Sequence, residues 1–332
     1  MNILGIETSC DETSAAVVNA GTAVRSNAVV SSLKYHKRYG GIVPEIAFRM
    51  QLETVAAAAD CALSDAQLSL SDIDGISVTR GPGLLGSLLV GVSFAKSLSL
   101  CRDIPLVGID HLYSHIYACF LNRRLPRFPF MALIVSGGHT SIFMIRDFES
   151  VSVLGSTRDD AAGEAFDKVA KILGLGYPGG PAIEKAAGEG DPGSIRFGCS
   201  NTANPFDFSF SGIKTAVLYH VRKHPAKPGS KASADICASF QHAVLSSLVD
   251  KSLSACEAKK IRCLAVGGGV AANGVLRRMF AEKAAERGIE LFFPAREFCM
   301  DNAAMVAGLG HWLIARGRRD DLLLDAQPTE RG

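Results

Sequence analysis

What the sequence lacks excludes several classes of protein. Its nine cysteines are odd in number and include no CxxC pair, which argues against a disulfide framework and for reduced thiols. The first residues contain no basic segment ahead of an apolar one, so a signal peptide is not indicated. The most apolar stretch, residues 83–100, includes Lys96 and is too short and too polar for a membrane span. We therefore expect a cytoplasmic protein that makes no membrane contact.

The sequence also has little net charge and no standard nucleotide fingerprint. A formal net charge of +2 over 332 residues neither requires nor excludes a nucleic-acid partner. The glycine-rich segment 267–273 is neither a Walker A loop nor a dinucleotide motif. It is nevertheless predicted to join a strand to a helix, which is typical of nucleotide sites and equally of tight helix–strand packing. The length of the chain allows two domains, each with its own core.

A pair of histidines organises the sequence. If the segment after Asp110 is helical, His111 and His115 lie four residues apart on one face, where two imidazoles can bind one metal ion. An isolated pair of this spacing is also common on an ordinary helix surface, so a metal requires a third ligand. Asp301, near the start of a later predicted helix, could be that ligand or could simply cap its helix. The segment also follows a predicted strand, 106–109, and ligand groups gather at such strand ends.

Two predicted hairpins share one construction. Strands at 3–7 and 15–18 flank a polar turn that contains Asp11 and Glu12, and strands at 130–135 and 142–145 flank a Ser-Gly-Gly turn. Such turns can hold phosphate oxygens, although a plain solvated hairpin is the alternative for the first. The repetition predicts a duplicated domain, with a boundary near the prolines at 126 and 129.

The intervening segments predict an α/β protein. Besides the hairpins, we expect strands at 73–79, 106–109, 263–266 and ending at 293, and a Gly-Pro loop at 174–181. Helices are expected at about 45–61, 84–100, 163–171 and 237–258, and from 274 and 301 onward.

Taken in order, these segments closely resemble the bacterial TsaD family of tRNA N(6)-adenosine threonylcarbamoyltransferases, formerly described as O-sialoglycoprotein endopeptidases. The shared stretches are ILGIETSCDETSAA (3–16), YGGIVPEIA (39–47), RGPGLLGSLLVG (80–91), HLYSH (111–115), IVSGGHT (134–140), GEAFDKVA (163–170), YPGGPAIE (177–184), FSFSGIKTAV (208–217), SFQ (239–241), GGGVAANGVL (267–276) and DNAAMVA (301–307). Two positions depart from the family pattern. Asp110 replaces a His or Asn, and residues 48–51 read Phe-Arg-Met-Gln in place of Ser-Arg-x-His.

The resemblance implies an actin-like ATPase (ASKHA) fold: two ribonuclease-H-like domains with a nucleotide cleft between them. The N-terminal lobe would comprise residues 1–127 with a returning segment at about 300–325, and the C-terminal lobe residues 128–299. It also implies one divalent metal ion, Fe²⁺ or alternatively zinc, held by His111, His115 and Asp301. Asp11 and Glu12 match the acidic pair near that metal. The implied substrate- and nucleotide-binding residues are Ile134, Val135, Ser136, Gly137, Gly138, Asp167, Gly180, Glu184 and Asn273.

The implied reaction is transfer of a threonylcarbamoyl group from threonylcarbamoyl-AMP to the exocyclic amine of adenosine 37 in tRNAs that read codons beginning with adenine. The implied partners are tRNA and the TsaB and TsaE proteins, and the implied nucleotide is threonylcarbamoyl-AMP, ATP or AMP. A zinc metalloprotease is excluded, because Leu112 stands where HExxH requires glutamate. A non-catalytic actin-like scaffold subunit remains the alternative, although such a subunit would lack the metal triad.

Overall fold

The chain divides into two compact units, described by a computed structural model over residues 1–36 and 39–329. Unit 1 comprises Met1–Leu125 and Pro294–Gly332, and unit 2 comprises Pro126–Phe293. Each unit contains one five-stranded sheet. Strands and helices are numbered below in chain order.

Unit 1 is built on a sheet of strand order β3-β2-β1-β4-β5. Its strands are β1 Asn2–Glu7, β2 Glu12–Asn19, β3 Ala23–Ser31, β4 Gly75–Gly81 and β5 Leu106–Asp110. Its helices are α1 Leu33–His36, α2 Pro44–Asp65, α3 Leu85–Arg102, α4 His111–Tyr117 and α10 Ala303–Ile314. The first three strands are antiparallel, whereas β4 and β5 run parallel to β1. The predicted first hairpin is confirmed, with Glu7 and Ser14 as its last paired residues before the turn.

Both faces of this sheet are covered, which explains why β1 is apolar along most of its length. Leu4 and Ile6 join the core formed with α2 and α3. Gly5, between them, faces the other way and lies directly against the backbone of α10. A side chain at position 5 would overlap the carbonyl oxygen of Ala303, so α10 can approach only a glycine.

Unit 2 repeats the arrangement with strand order β10-β9-β6-β7-β8. Its strands are β6 Phe130–Val135, β7 Thr140–Asp147, β8 Ser150–Ser156, β9 Cys263–Gly267 and β10 Glu290–Phe292. Its helices are α5 Ala162–Ile172, α6 Gly179–Ala187, α7 Ser211–Lys223, α8 Lys231–Lys259 and α9 Gly274–Glu286. Again three strands form an antiparallel meander and two further strands run parallel to the first. The duplicated pattern predicted from the hairpins is therefore confirmed.

Two predicted boundaries in unit 2 are wrong. The loop expected at 174–181 ends earlier, because α6 begins at Gly179, whose N–H donates to Asp167 Oδ1 (2.7 Å). Pro181 fits the first turn of that helix, where N–H groups have no intrahelical partner. Helix α8 begins at Lys231 rather than near 237, because the Ser230 side chain caps it by accepting from the Ser233 N–H.

Among the residues described, α3 is the one helix with the length and hydropathy of a membrane span, judged by those two criteria alone. Core helices of soluble proteins meet the same criteria, and α3 packs against β4 and α2.

Candidate functional site

Helix α4 carries the two histidines and begins directly at the end of β5. Asp110 is its N-cap: one carboxylate oxygen accepts from the N–H groups of Leu112 (2.9 Å) and Tyr113 (3.1 Å). This departure from the family pattern therefore serves the helix itself. The rings of His111 and His115 lie together with centroids 4.7 Å apart.

Asp301 completes a triad with these histidines. Its Oδ1 lies 3.1 Å from His115 Nε2 and 3.6 Å from His111 Nε2. The expected alternative, that Asp301 caps α10, is wrong, because Asn302 is the cap and accepts from the Met305 N–H (3.1 Å). One ligand atom from each member of the triad lies within 4.8 Å of the other two.

Glu7 is a member of this site that the sequence analysis did not identify. It is 1% exposed, and its Oε2 lies 3.2 Å from His111 Nδ1 and accepts from Thr79 Oγ1 (2.6 Å). A carboxylate in this position holds the Nδ1 proton, so Nε2 is the ring nitrogen of His111 that faces Asp301. The available signal was that Glu7 ends β1, beside the ends of β4 and β5.

The charges in the triad suit a cation. Burial lowers the pKa of His111, but the carboxylates of Asp301 and Glu7 outweigh burial and raise that pKa to about 9. Two imidazole nitrogens that face one carboxylate oxygen need a proton or a cation between them. Two imidazoles and one carboxylate also form a ligand set suited to first-row transition metals, with positions left for substrate. The triad is therefore a possible metal-binding site.

The predicted acidic pair lies in the turn of the first hairpin. Glu12 opens β2, and Ser31 Oγ donates to its Oε1 (3.2 Å). Burial, then the charges of Asp11 and Asp301, raise the pKa of Glu12 well above its ordinary value. Because Asp301 acts on Glu12, the acidic pair and the triad share one electrostatic environment.

The predicted glycine turn of unit 2 follows the buried end of β6, Ile134 and Val135. The turn is closed by two hydrogen bonds, from the Ser136 N–H to the His139 carbonyl (2.8 Å) and from the His139 N–H to Ser136 Oγ (3.1 Å). Gly137 and Gly138 are exposed, with nothing within 4 Å of the place where a Cβ would stand. The backbone at this turn is therefore accessible to a ligand.

Four further predicted residues lie on helices of unit 2 or at their N-termini. Asp167 accepts from the first N–H of α6, as described above, and burial raises its pKa. Gly180 follows in α6, and Glu184 Oε1 accepts from the Gly274 N–H (2.7 Å). Asn273 caps α9, and its Nδ2 donates to Gln241 Oε1 (3.0 Å).

Glu184 and Gln241 also line a cavity of about 370 Å³ together with Arg278. The structure thus brings Glu184 and Asn273 together through Gln241, to which the sequence analysis assigned no role. Its place in the matching stretch 239–241 was the available signal. The glycine-rich segment 267–273 serves close packing at Gly268, whose φ is +92° and whose added Cβ would overlap the Val135 carbonyl.

Comparison with solved structures defines the class of protein. The chain superposes on HypF of T. kodakarensis with a TM-score of 0.63 at 15% identity, covering 95% of this chain and 48% of that one. It superposes on the (R)-2-hydroxyglutaryl-CoA dehydratase component A of Acidaminococcus fermentans with a TM-score of 0.52 at 13% identity, covering 95% and 99%. These likenesses concern the fold alone. The chain is an α/β protein of the actin-like ATPase fold with a possible metal triad.

Sequence relatives then define the family. The profile described as tRNA N6-adenosine threonylcarbamoyltransferase (TsaD) matches residues 23–308. Proteins of that name from Geobacter metallireducens and Syntrophus aciditrophicus are 52% and 50% identical to the chain, and each alignment covers 98% of this chain and 96% of the relative. A Clostridium botulinum protein of the same name is 48% identical over 99% of this chain and 97% of its own length. The chain belongs to the tRNA N6-adenosine threonylcarbamoyltransferase family, and it is a transferase.

Proposed function

We propose that this chain transfers the threonylcarbamoyl group of threonylcarbamoyl-AMP to the exocyclic amine of adenosine 37 in tRNAs that read codons beginning with adenine. The observation that carries the proposal is the convergence of His111, His115 and Asp301 in a member of this family. An adenine amine is a poor nucleophile, so the carbamoyl carbon has to be made electrophilic. A site that combines a cation position with carboxylates is suited to that task.

The triad is proposed to hold one divalent metal ion, Fe²⁺ in preference to zinc. A bound ion of this kind would supply Lewis-acid polarisation of a carbonyl oxygen. The chain's own contribution is orientation, because Glu7 fixes the His111 ring through Nδ1.

The nucleotide portion of the donor is proposed to bind unit 2. The accessible backbone of Ser136, Gly137 and Gly138 suits the phosphoryl oxygens. The Asp167 carboxylate suits ribose hydroxyls. Gly180, Glu184 and Asn273 are proposed to contact the adenine base, and Glu184 lines the 370 Å³ cavity that suits it. The same site would accept ATP or AMP.

Asp11 and Glu12 are proposed to accept the proton that the adenine amine loses. Their place in the turn of the first hairpin, where the charge of Asp301 acts on Glu12, supports this role. Family membership further supports a cytoplasmic protein that binds tRNA and works with the TsaB and TsaE proteins.

The decisive experiment is a transfer assay with purified protein, threonylcarbamoyl-AMP, tRNA and the two partner proteins. His111→Ala should lower the rate at least about 100-fold and reduce metal bound per chain, because polarisation by a metal is worth several kcal/mol. His220→Ala, in α7 of unit 2, is the matched control and should retain both rate and metal. Transfer at the wild-type rate by metal-free His111→Ala protein would refute the proposal.

A further inference from the structure

Buried side chains that lie outside the acidic turn of unit 1 donate hydrogen bonds to the backbone of that turn. The ladder between β1 and β2 ends at Glu7 and Ser14, so the segment between them has no hydrogen bonds from that ladder. Three successive carbonyl groups, those of Cys10, Asp11 and Glu12, accept hydrogen bonds from side chains that lie outside the turn. The Asp11 carbonyl also accepts from the Ser32 N–H (3.2 Å), and the Cys10 carbonyl also accepts from Ser87 Oγ (3.3 Å). These carbonyls belong to the acidic pair itself and to the residue before it.

Gln51 of α2 holds the two outer carbonyls. Its Nε2 donates to the Cys10 carbonyl and to the Glu12 carbonyl, each at 2.9 Å, and the residue is 1% exposed. Its Oε1 is buried and has no hydrogen-bond partner among the described residues. Rotating the amide by 180° would place that oxygen against two carbonyl oxygens, so the observed orientation is enforced. This orientation leaves the buried Oε1 unpaired, which costs about 1–3 kcal/mol, but it keeps both hydrogen bonds from Nε2 to the carbonyl groups.

His36 holds the central carbonyl through Ser32, and the hydrogen atoms can be assigned one by one. Ser32 Oγ donates to the Asp11 carbonyl (2.7 Å), which uses its single hydrogen. The Val43 N–H donates to His36 Nδ1 (3.2 Å), so that nitrogen carries no proton. His36 Nε2, 2.7 Å from Ser32 Oγ, must therefore be the donor in that contact. His36 is fully buried and is held as the neutral Nε2–H tautomer.

We propose that Gln51 and His36 are positioning residues that fix the backbone of Cys10, Asp11 and Glu12 and thereby aim the two carboxylates at the reacting amine. This inference rests on the proposed role of the acidic pair. Gln51 lies in the segment 48–51 that departs from the family pattern, and its two N–H groups satisfy two carbonyls at once. Misplacement of a reacting group by about 1 Å can cost about 100-fold in rate.

The test compares side chains that keep or lose these hydrogen bonds. Gln51→Met and His36→Leu remove the donors at similar volume. His36→Gln keeps a donor and an acceptor on one planar group, and Gln51→Asn keeps the amide on a shorter side chain. Ser99→Ala is the matched control. Ser99 Oγ also donates to a backbone carbonyl, that of Ile104 (2.7 Å), but it does so at the C-terminal end of α3 and not at the acidic turn. For each variant, kcat, KM for tRNA, metal content and Tm are measured on the folded protein.

We expect kcat to fall about 10- to 100-fold in Gln51→Met and His36→Leu, with KM and metal content within about twofold of wild type. His36→Gln should restore kcat to within about threefold, and Gln51→Asn should fall between Gln51→Met and wild type. Ser99→Ala should lower Tm without changing kcat.

The inference is overturned if Gln51→Met and His36→Leu only lower Tm, if they lose metal, or if His36→Gln is as slow as His36→Leu. Failure of the proposed function gives a different result. In that case the wild-type protein itself lacks transfer activity, or Asp11→Asn retains full kcat.

Discussion

The two hairpin turns occupy the same place in two sheets of the same topology, yet they offer different chemistry. The turn of unit 1 presents the carboxylates of Asp11 and Glu12, and side chains that lie outside the turn hold its carbonyls. The turn of unit 2 presents the bare backbone of Gly137 and Gly138, and hydrogen bonds of its own residues close it. One turn therefore presents negative charge, whereas the other presents exposed backbone without charged side chains.

The difference also lies in how each turn is supported. At the glycine turn, α5 comes so close that the Gly163 N–H donates to the Ser136 carbonyl (3.1 Å). A Cβ on Gly163 would lie 2.6 Å from that carbonyl oxygen, so only glycine permits this contact. A duplicated domain can thus diverge by exchanging side-chain support for backbone support at equivalent positions.

Removing both charges from the acidic turn should have the largest effect. Asp11→Asn combined with Glu12→Gln keeps the shapes and removes the proton acceptors. We expect kcat for threonylcarbamoyl transfer to fall about 10²- to 10⁴-fold, the range of general acid–base catalysis. Affinity for AMP, measured by calorimetry, should be unchanged because the nucleotide is assigned to unit 2. If the double variant had a normal kcat and a weakened affinity for AMP, the roles assigned to the two turns would be reversed.

Filling the open space above the glycine turn should have the next largest effect. Gly138→Val places a branched side chain where the backbone is accessible, and φ at this position requires no glycine. We expect the dissociation constant for AMP to rise about 10-fold or more, because an N–H group that an anion cannot reach no longer stabilises it. Gly198→Val, at an exposed loop position that also has open space, is the control. Equal AMP affinities in the two variants would contradict a phosphate role for this turn.

Features that depend on local sequence could be predicted, and features that depend on tertiary contacts could not. The hairpins follow from alternation and turn residues, and both are confirmed. Glu7 was not predicted as a site residue, because it comes near His111 only through the parallel pairing of β1 with β4. Helix α6 escaped because its start depends on Asp167, a residue of another helix.

The triad also shows that local sequence cannot decide between two roles that depend on tertiary contacts. The HxxxH spacing alone is ambiguous, and Asp301 was equally compatible with a helix cap. Only the structure separates the two roles, because Asn302 caps α10 and leaves the Asp301 carboxylate facing both histidines. The sequence offered no local reason to prefer one neighbour over the other as the cap, since Asp and Asn are both favoured there.

The smallest expected effect concerns the salt bridges beside the glycine turn. Asp160, just before α5, accepts from Lys168 and Lys214, each at 2.7 Å. Burial raises the pKa of Asp160, but these hydrogen bonds outweigh burial and lower it below its ordinary value. A lowered folded-state pKa stabilises the protein above the unfolded-state pKa of about 4, and this stabilisation is lost as the pH falls through the folded-state pKa.

Asp160→Asn should therefore lower the free energy of unfolding by about 0.5–1 kcal/mol at pH 7, a modest value because water screens the partly exposed lysines. The difference from wild type should shrink as the pH falls below about 4, as urea unfolding at several pH values would measure. Asp250→Asn, which removes an exposed pair with Lys283, should change stability by less than about 0.5 kcal/mol at either pH. An Asp160→Asn protein that loses AMP affinity with unchanged stability would instead place Asp160 in the nucleotide site and extend that site beyond the backbone of its turn.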